Sequence, residues 1–315
     1  GSSDVRPVQA LPAPLDAVVE SARRLHPGFV ITDLWLPDHR IVAARVGMLD
    51  QSGGAVDVLV DPRTAQTLGS LWRERSPHHA LRLLHTELYM GQRGAAVIGV
   101  LGLWLLVQGV TGAYLSWPLL RRPGSSFHIR WSRPWPVIGR DLHRTLGAAS
   151  LAFHLPMAAT GALLGLSAVV SSPADERAAT PEVLGASRAS FETLARSVDS
   201  LSLGGRITAF HLSPDDRRVT VRLRMPGDPD RHGGSAVVLA ASGARVLAVH
   251  DARHAGWAAK SLAVVRALHV GELGGTPVRP LYVLGGLASV AVACSGYVLG
   301  VARPGRVRKA RAASP

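Results

Sequence analysis

Along the chain, hydrophobic and polar positions sort into three long charge-free blocks separated by stretches of alternating character. Arg93 and Arg121 enclose 27 uncharged residues, no side chain between Arg144 and Asp175 is charged, and Leu281 to Ala302 are 22 uncharged residues. A bilayer span needs about 20 apolar residues, so each block predicts a transmembrane helix. The second block, DLHRTLGAASLAFHLPMAATGALLGL from Asp141 to Leu166, organises the others, because it is entered by a His-Arg pair and left through a Thr-Gly pair.

The stretches between the blocks carry short-period patterns. From Pro14, PLDAVVESARRLHPG places Leu15, Val18, Val19 and Ala22 on one helical face, with Pro27-Gly28 as the stop. FVITDLWL, RIVAARVGML and AVDVLVD then alternate in the manner of strands, with Pro-Asp-His and Ser-Gly-Gly turns between them. The same order returns later: SRASFETLARSVDSL as a helix, then RITAFHL, RRVTVRLRM and SAVVLAA-SG-ARVLAVH as strands with a Ser242-Gly243 hairpin turn. The expected fold class is an α-helical membrane bundle of three spans with two small α+β modules of αβββ type. The expected division is a linker (1–13), a first module (14–72), an interfacial segment with a membrane helix (77–118), a basic loop (119–142), a membrane helix (143–170), a linker (171–187), a second module (188–252), a second interfacial segment with its helix (257–303) and a basic tail (304–315).

The chain is internally duplicated. His85 precedes Gly112 by 27 residues and His269 precedes Gly296 by 27, within LLHTELYMG…VTGAYL and ALHVGELGG…CSGYVL. A repeat of this length is a property of architecture. The second unit has a leading membrane helix with His143, whereas the first has a module, His85 and one helix. The expectation is a parent with four membrane helices, of which the first is not among these residues.

Composition alters the picture through the placement of charge. A net charge of +13 on 315 residues would suggest nucleic acid if it lay on a soluble domain. Ten of those charges instead fall in the short segment Leu119 to Arg144 and in the tail after Ala302. Short basic flanks of membrane helices stay cytoplasmic, so the basicity reads as topology: loop 119–142 and the C-terminus inside, both modules outside, no nucleic acid. The one cysteine, Cys294, excludes an intrachain disulfide and a thiolate metal cluster.

Four histidines then stand out by position. His143 and His154 are eleven residues apart, about three turns, and lie on one helix face roughly 16 Å apart along the axis. His85 and His269 both enter the membrane from outside, so the repeat would bring them to one depth as an outer pair. Imidazole in hydrocarbon is a functional candidate by default. The plainer readings are interfacial anchoring for His85, His143 and His269, and for His154 a bond to the Ala152 carbonyl that Pro156 frees. Glu87 and Glu272 follow His85 and His269 closely and could orient them. Gly161-x-x-x-Gly165 and Gly296-x-x-x-Gly300 fit close helix approach. No Walker loop, nucleotide fingerprint, HExxH or Ser-His-Asp spacing is present.

On DLHRTLG with Thr160-Gly161, LLHTELYMG with Thr111-Gly112, ALHVGELGG with Ser295-Gly296 and the two αβββ modules, the chain resembles the PepSY-associated transmembrane-helix proteins, also described as iron-regulated membrane proteins. The resemblance implies a bacterial cytoplasmic (inner) membrane protein and, as in some members, haem b with ferric-siderophore reduction at the outer face. It makes His85, His143, His154 and His269 the candidate haem ligands, with Glu87 and Glu272 behind them. The lipid bilayer, a quinol or protein electron donor and a ferric siderophore would be the partners. The last motif departs from the pattern, with Ser-Gly in place of Thr-Gly. The alternative is non-enzymatic: membrane-anchored modules that bind a peptide, a protease or another envelope protein, for which exposed strand edges suit strand addition.

Overall fold

The computed structural model describes residues 13–38, 42–121, 128–170, 188–213 and 217–301. The chain divides into two compact units, one of residues 1–85 with 172–264 and one of residues 86–171 with 265–315.

The first unit is a single antiparallel sheet. Helix α1 (Leu15–Leu25) leads into β1 (Val30–Trp35), β2 (Ala44–Leu49), β3 (Ala55–Val60) and β4 (Thr67–Trp72). After an intervening helix α2 (Pro77–Glu87), the second half repeats the order with a further short helix (Phe191–Asp199), β5 (Arg206–Leu212), β6 (Arg218–Arg224), β7 (Ser235–Ala240) and β8 (Val246–His250). The strands run β4-β3-β2-β1-β5-β6-β7-β8. The halves are joined by β1 and β5, where Leu34 lies opposite Phe210 and Trp35 opposite Ala209.

This corrects the expectation of two separate αβββ modules: each half has four strands, and the two halves form one eight-stranded sheet. The fourth strand of the second half, β8, lies in the ARVLAVH run read as a strand from the sequence, whereas β4 is hard to see; both are edges of the sheet. β4 is exposed at every position except Trp72, and β8 at every position after Val246, so neither carries a period-2 burial signal. Inner strands do carry it: β3 buries Val56, Val58 and Val60 and turns Ala55, Asp57 and Leu59 outward.

Val18, Val19 and Ala22 of α1 and Phe191, Leu194 and Val198 of the second-half helix share one core with Leu34, Val46, Met48, Phe210, Val221 and Leu239 of the strands. The two helices also cap one another. The Asp16 amide donates to Glu192 Oε1 (3.1 Å), and the Phe191 amide donates to Asp16 Oδ1 (2.9 Å). Ser190 supplies the ordinary N-cap through the Thr193 amide. On the other side of the sheet, Arg73 bridges Asp33 (3.3 Å) and Asp57 (2.6 Å), and the Arg45 guanidinium stacks over Trp35.

Among the described residues three helices are long and apolar enough to cross a membrane, and all lie in the second unit. With the second-half helix of the sheet unit numbered α5, they are α3 (Gly91–Leu120), α4 (Trp135–Val170) and α7 (Arg279–Val301); α6 (Trp257–His269) contributes its last turn. The organising helix is longer than its apolar core suggests, since it begins at Trp135 in the segment expected to be loop.

α4 lies between α3 and α7 and runs antiparallel to both. Against α3, a methyl group built on Gly165 would stand 2.6 Å from the Gly99 Cα, and one on Gly102 would stand 2.7 Å from the Ala162 amide nitrogen. Backbones meet at these crossings because small residues allow it. Against α7, Phe153 packs at Gly285, and the Phe153 and Tyr282 rings meet edge to face at 5.5 Å. The Tyr282 hydroxyl donates to the Leu268 carbonyl, which ties the end of α6 to α7. The expected glycine pairs do not act as units: Gly165 meets α3 while Gly161 faces His269, and Gly296 faces His143 while Gly300 has no atom within 4 Å of an added methyl.

Candidate functional site

Three of the four expected histidines belong to the helical unit, and each rests on a hydroxyl. His143 on α4 reaches α7, where its Nδ1 lies 2.9 Å from Ser295 Oγ. His269, closing α6, reaches α4, where its Nδ1 lies 2.9 Å from Thr160 Oγ1. His154 turns back along its own helix, with Nδ1 3.0 Å from Ser150 Oγ and 3.3 Å from the Ser150 carbonyl.

The hydroxyl protons decide the tautomer. Ser295 donates to the Val292 carbonyl (3.0 Å), Thr160 to the Pro156 carbonyl (2.6 Å) and Ser150 to the Leu146 carbonyl (2.6 Å). A hydroxyl has one proton to give, so in each case the oxygen accepts and the imidazole donates from Nδ1. Each ring is thereby oriented through Nδ1, and in its neutral form the lone pair lies on Nε2. This is the state in which an imidazole binds a metal through Nε2, with the other nitrogen oriented by an acceptor.

The glycine that follows two of these hydroxyls makes room for the ring. A methyl group built on Gly296 would stand 3.1 Å from His143 Cε1, and one on Gly161 would stand 3.2 Å from His269 Cε1. Thr160-Gly161 and Ser295-Gly296 are thus two copies of one notch, in which the hydroxyl accepts the Nδ1 proton and the glycine clears the ring. α4 takes part in both notches, giving His143 to α7 and receiving His269 from the end of α6. Ser150, Thr160 and Ser295 were not among the expected site residues. The hydroxyl-glycine pairs at 160–161 and 295–296 were the available signal, but what they do depends on the antiparallel pairing of α4 with α7.

The levels differ from an arrangement in which two imidazoles share one site. His143 and Thr160 are 17 residues apart on α4, about 26 Å along the axis. His143 and His269 therefore sit at opposite ends of the α4–α7 pair, and His154 lies between them. His154 is oriented by Ser150, not by the Ala152 carbonyl. His85 stands exposed on α2, in the sheet unit. Glu87 closes α2, and the Glu272 amide binds the Ala267 carbonyl (2.8 Å), which places Glu272 in the turn that carries His269. Among the described residues no three His, Cys, Asp or Glu side chains converge as a metal cage.

At the other end of α4, the buried Asp141 carboxylate accepts from Arg130 Nε (2.9 Å) and Nη2 (2.8 Å) and from the Arg130 amide (3.2 Å), with Arg144 at 3.7 Å. The His-Arg entry to the organising helix is thus fixed by a carboxylate two residues before His143.

The duplicated order, the three spans and the histidine notches agree with a comparison against family models, in which the model described as the PepSY-associated TM region matches residues 4–303. The chain belongs to this PepSY-TM family. No curated protein matches the chain. Family membership makes it a membrane protein with a PepSY-associated helical region, and the spans place α3, α4 and α7 in a lipid environment.

Proposed function

We propose that this PepSY-TM protein carries electrons across the bacterial cytoplasmic membrane by way of haem b, toward reduction of a ferric siderophore on the outer face. The observation that supports this reading is the repeated fixing of imidazoles: His143, His154 and His269 each give their Nδ1 proton to a hydroxyl, which leaves Nε2 as the coordinating atom. A bis-histidine haem needs two such nitrogens facing one another. The donor set fits this requirement one ligand at a time, with His143 at one level of the helix pair and His269 at the other.

A haem bound at these positions would supply reversible one-electron chemistry. The residues of the chain do the remaining work. Ser295 and Thr160 hold the ring planes, Gly296 and Gly161 admit the rings, and the apolar faces of α4 and α7 keep water from them. His85, on α2, is the remaining candidate ligand, with Glu87 and Glu272 as carboxylates close in sequence to His85 and His269. By the charge distribution, loop 119–142 and the tail face the cytoplasm, where a quinol or a protein donor would deliver electrons, and the sheet unit faces outward.

Protein purified from haem-replete cells is expected to show a dithionite-reduced b-type spectrum that is lost in His143→Ala or His269→Ala. A colourless preparation would favour the second reading, a membrane-anchored binding protein. That reading has its own support in the sheet edges, where β4 exposes Leu68 and Leu71 and β8 exposes Leu247 and Val249. Such edges accept an added strand.

A further inference from the structure

The first turns of α4 carry an arginine at a depth where the neighbouring helix has no charge. The contacts between α4 and α7 share one register: Phe153 meets Gly285, His143 meets Ser295 and Gly139 meets Leu299. Arg140 therefore lies level with Val298, and α7 runs on uncharged to Val301, about 4–5 Å further along the axis. Val298 is itself 50% exposed, as expected of a residue that faces lipid. The exposed Arg140 is thus rooted below the end of the apolar span. Its Nε donates to the Pro136 carbonyl one turn back (3.1 Å), which turns the charge toward the end of the helix, as a long cationic side chain turns when it reaches for headgroups.

The protein offers that charge no free anion among the described residues around it. Asp141 is the one acidic residue between Gly91 and Val170. Its carboxylate is already taken by the Nε, Nη2 and amide of Arg130, with Arg144 at 3.7 Å. Since Arg130, Arg133, Arg140 and Arg144 surround it in sequence, the segment keeps an excess of three positive charges. The turn before α4 is firmly built. The Arg133 amide donates to the Arg130 carbonyl (3.1 Å) and the Val137 amide to the Pro134 carbonyl (2.8 Å), so the hold of Asp141 on Arg130 extends to Arg133. Trp131 and Trp135 stand on either side of Arg133 in the chain, 68% and 65% exposed. Indole rings left open beside arginines belong at headgroup level, and a cluster with excess positive charge at that level attracts anionic lipid.

We infer that Arg140 and Arg133, framed by Trp131 and Trp135, bind the phosphate group of an anionic phospholipid in the leaflet at this end of α4. A phosphate accepts from guanidinium groups through charge-assisted hydrogen bonds, and the indole rings cover the glycerol and the upper acyl chains. A zwitterionic lipid brings its own ammonium group into the same positive field and is disfavoured. The site depends on neither haem nor electron transfer.

The test reconstitutes the full chain in nanodiscs of equal parts phosphatidylcholine and phosphatidylglycerol and counts the lipids that stay bound, by native mass spectrometry. Phosphatidylglycerol is expected to be retained in preference. Each arginine near an anionic surface contributes about fivefold in affinity, so Arg140→Gln should lower the preference about fivefold and Arg133→Gln with Arg140→Gln about 25-fold. Arg306→Gln with Arg308→Gln removes the same charge from the basic tail and is expected to leave the preference unchanged. Equal losses for the two double variants would mean diffuse attraction to a basic end and would overturn the proposal, as would retention of both lipids alike. The unsubstituted chain gives a second readout that does not depend on how the variants fold. Its thermal midpoint should be higher in phosphatidylglycerol than in phosphatidylcholine, and inorganic phosphate added to phosphatidylcholine discs should not reproduce the rise. A rise with inorganic phosphate would mark a site for free phosphate and overturn the assignment to lipid.

Discussion

His143 of α4 and Ser295 of α7, 152 residues apart in the chain, meet at 2.9 Å through Nδ1 and Oγ, and the serine passes its own proton to the Val292 carbonyl. His269, at the end of α6, makes the same contact with Thr160 of α4. One covalent pattern, a hydroxyl followed by glycine, thus does the same job on two helices that run in opposite directions. It fixes both how the helices pack and which ring nitrogen meets the hydroxyl.

Removal of the acceptor tests the pair directly. In Thr160→Val the Nδ1 proton of the half-buried His269 loses the Thr160 acceptor, and a group left unsatisfied costs about 1 kcal/mol when burial is only partial. If His269 ligates haem, the loss of its orienting group lowers haem affinity roughly 10–100-fold. Thr160→Ser keeps the acceptor and is expected to retain affinity. Haem titration with thermal unfolding of each variant checks this, and equal affinity for Val and Ser would refute an orienting role.

Close helix approach gives a second prediction. A methyl group at Gly165 would lie 2.6 Å from the Gly99 Cα, and a backbone atom cannot move aside as a side chain can. Gly165→Ala is expected to destabilise the helical unit by about 1–3 kcal/mol, the usual cost of overpacking. At Gly286 of α7 no atom lies within 4 Å of the added methyl, so Gly286→Ala should be neutral or stabilise by up to about 1 kcal/mol through helix propensity. Thermal midpoints in detergent would separate the two; a matched loss would mean that the α3–α4 contact is not what constrains Gly165.

How much of this was legible in the sequence differs by element. The three spans could be read because charge is excluded from each for more than 20 residues, and His143, His154 and His269 stood out because imidazole is rare there. The edge strand β4 could not, since Thr67 to Leu71 are all exposed and show no alternation. The joining of the halves was hidden for a different reason: it depends on β1 meeting β5, and no local pattern encodes a pairing between residues such as Leu34 and Phe210. Thr160 and Ser295 were visible as part of hydroxyl-glycine motifs, but their role requires a second helix. His154 was expected to use a carbonyl freed by Pro156, and the Ser150 hydroxyl one turn earlier proved the nearer acceptor.

The head-to-head helices of the sheet unit predict a pH response. Glu192 is held above its ordinary value by burial and by the hydrogen bond with Asp16. For Asp16 burial acts upward too, but the hydrogen bonds with Glu192, the Phe191 amide and Ser190 outweigh it, and its value falls. The raised group contributes stability that is complete below its unfolded value and lost as pH rises through its folded value. The lowered group contributes above its unfolded value and loses that contribution as pH falls through its folded one. The pair therefore favours one shared proton near pH 4 and is strained when both groups ionise. Glu192→Gln keeps an acceptor for the Asp16 amide and adds a donor for its carboxylate. At pH 7 the variant should raise the melting temperature by about 2–4 °C, as expected for roughly 1 kcal/mol in a domain of this size. At pH 4 the gain should vanish; an equal gain at both values would show that proton sharing is absent.

The carboxylate at the entry to α4 predicts an asymmetry. The Asp141 side chain is 3% exposed while that of Arg130 is 51% exposed, so the partners have unequal access to water. Asp141→Asn leaves behind a guanidinium that solvent can reach, so its loss of a partner is small, as for an exposed ion pair. Arg130→Met leaves the carboxylate with Arg144 at 3.7 Å as its remaining cation among the described residues, and a charge that has lost its closest partner while little exposed is the costlier one to leave behind. Arg130→Met should thus be the more damaging change, and in the double variant most of the added loss should disappear. Unfolding of the three variants in detergent checks this: additive losses, or a larger loss for Asp141→Asn, would mean that the contact does not anchor the helix on which His143 stands.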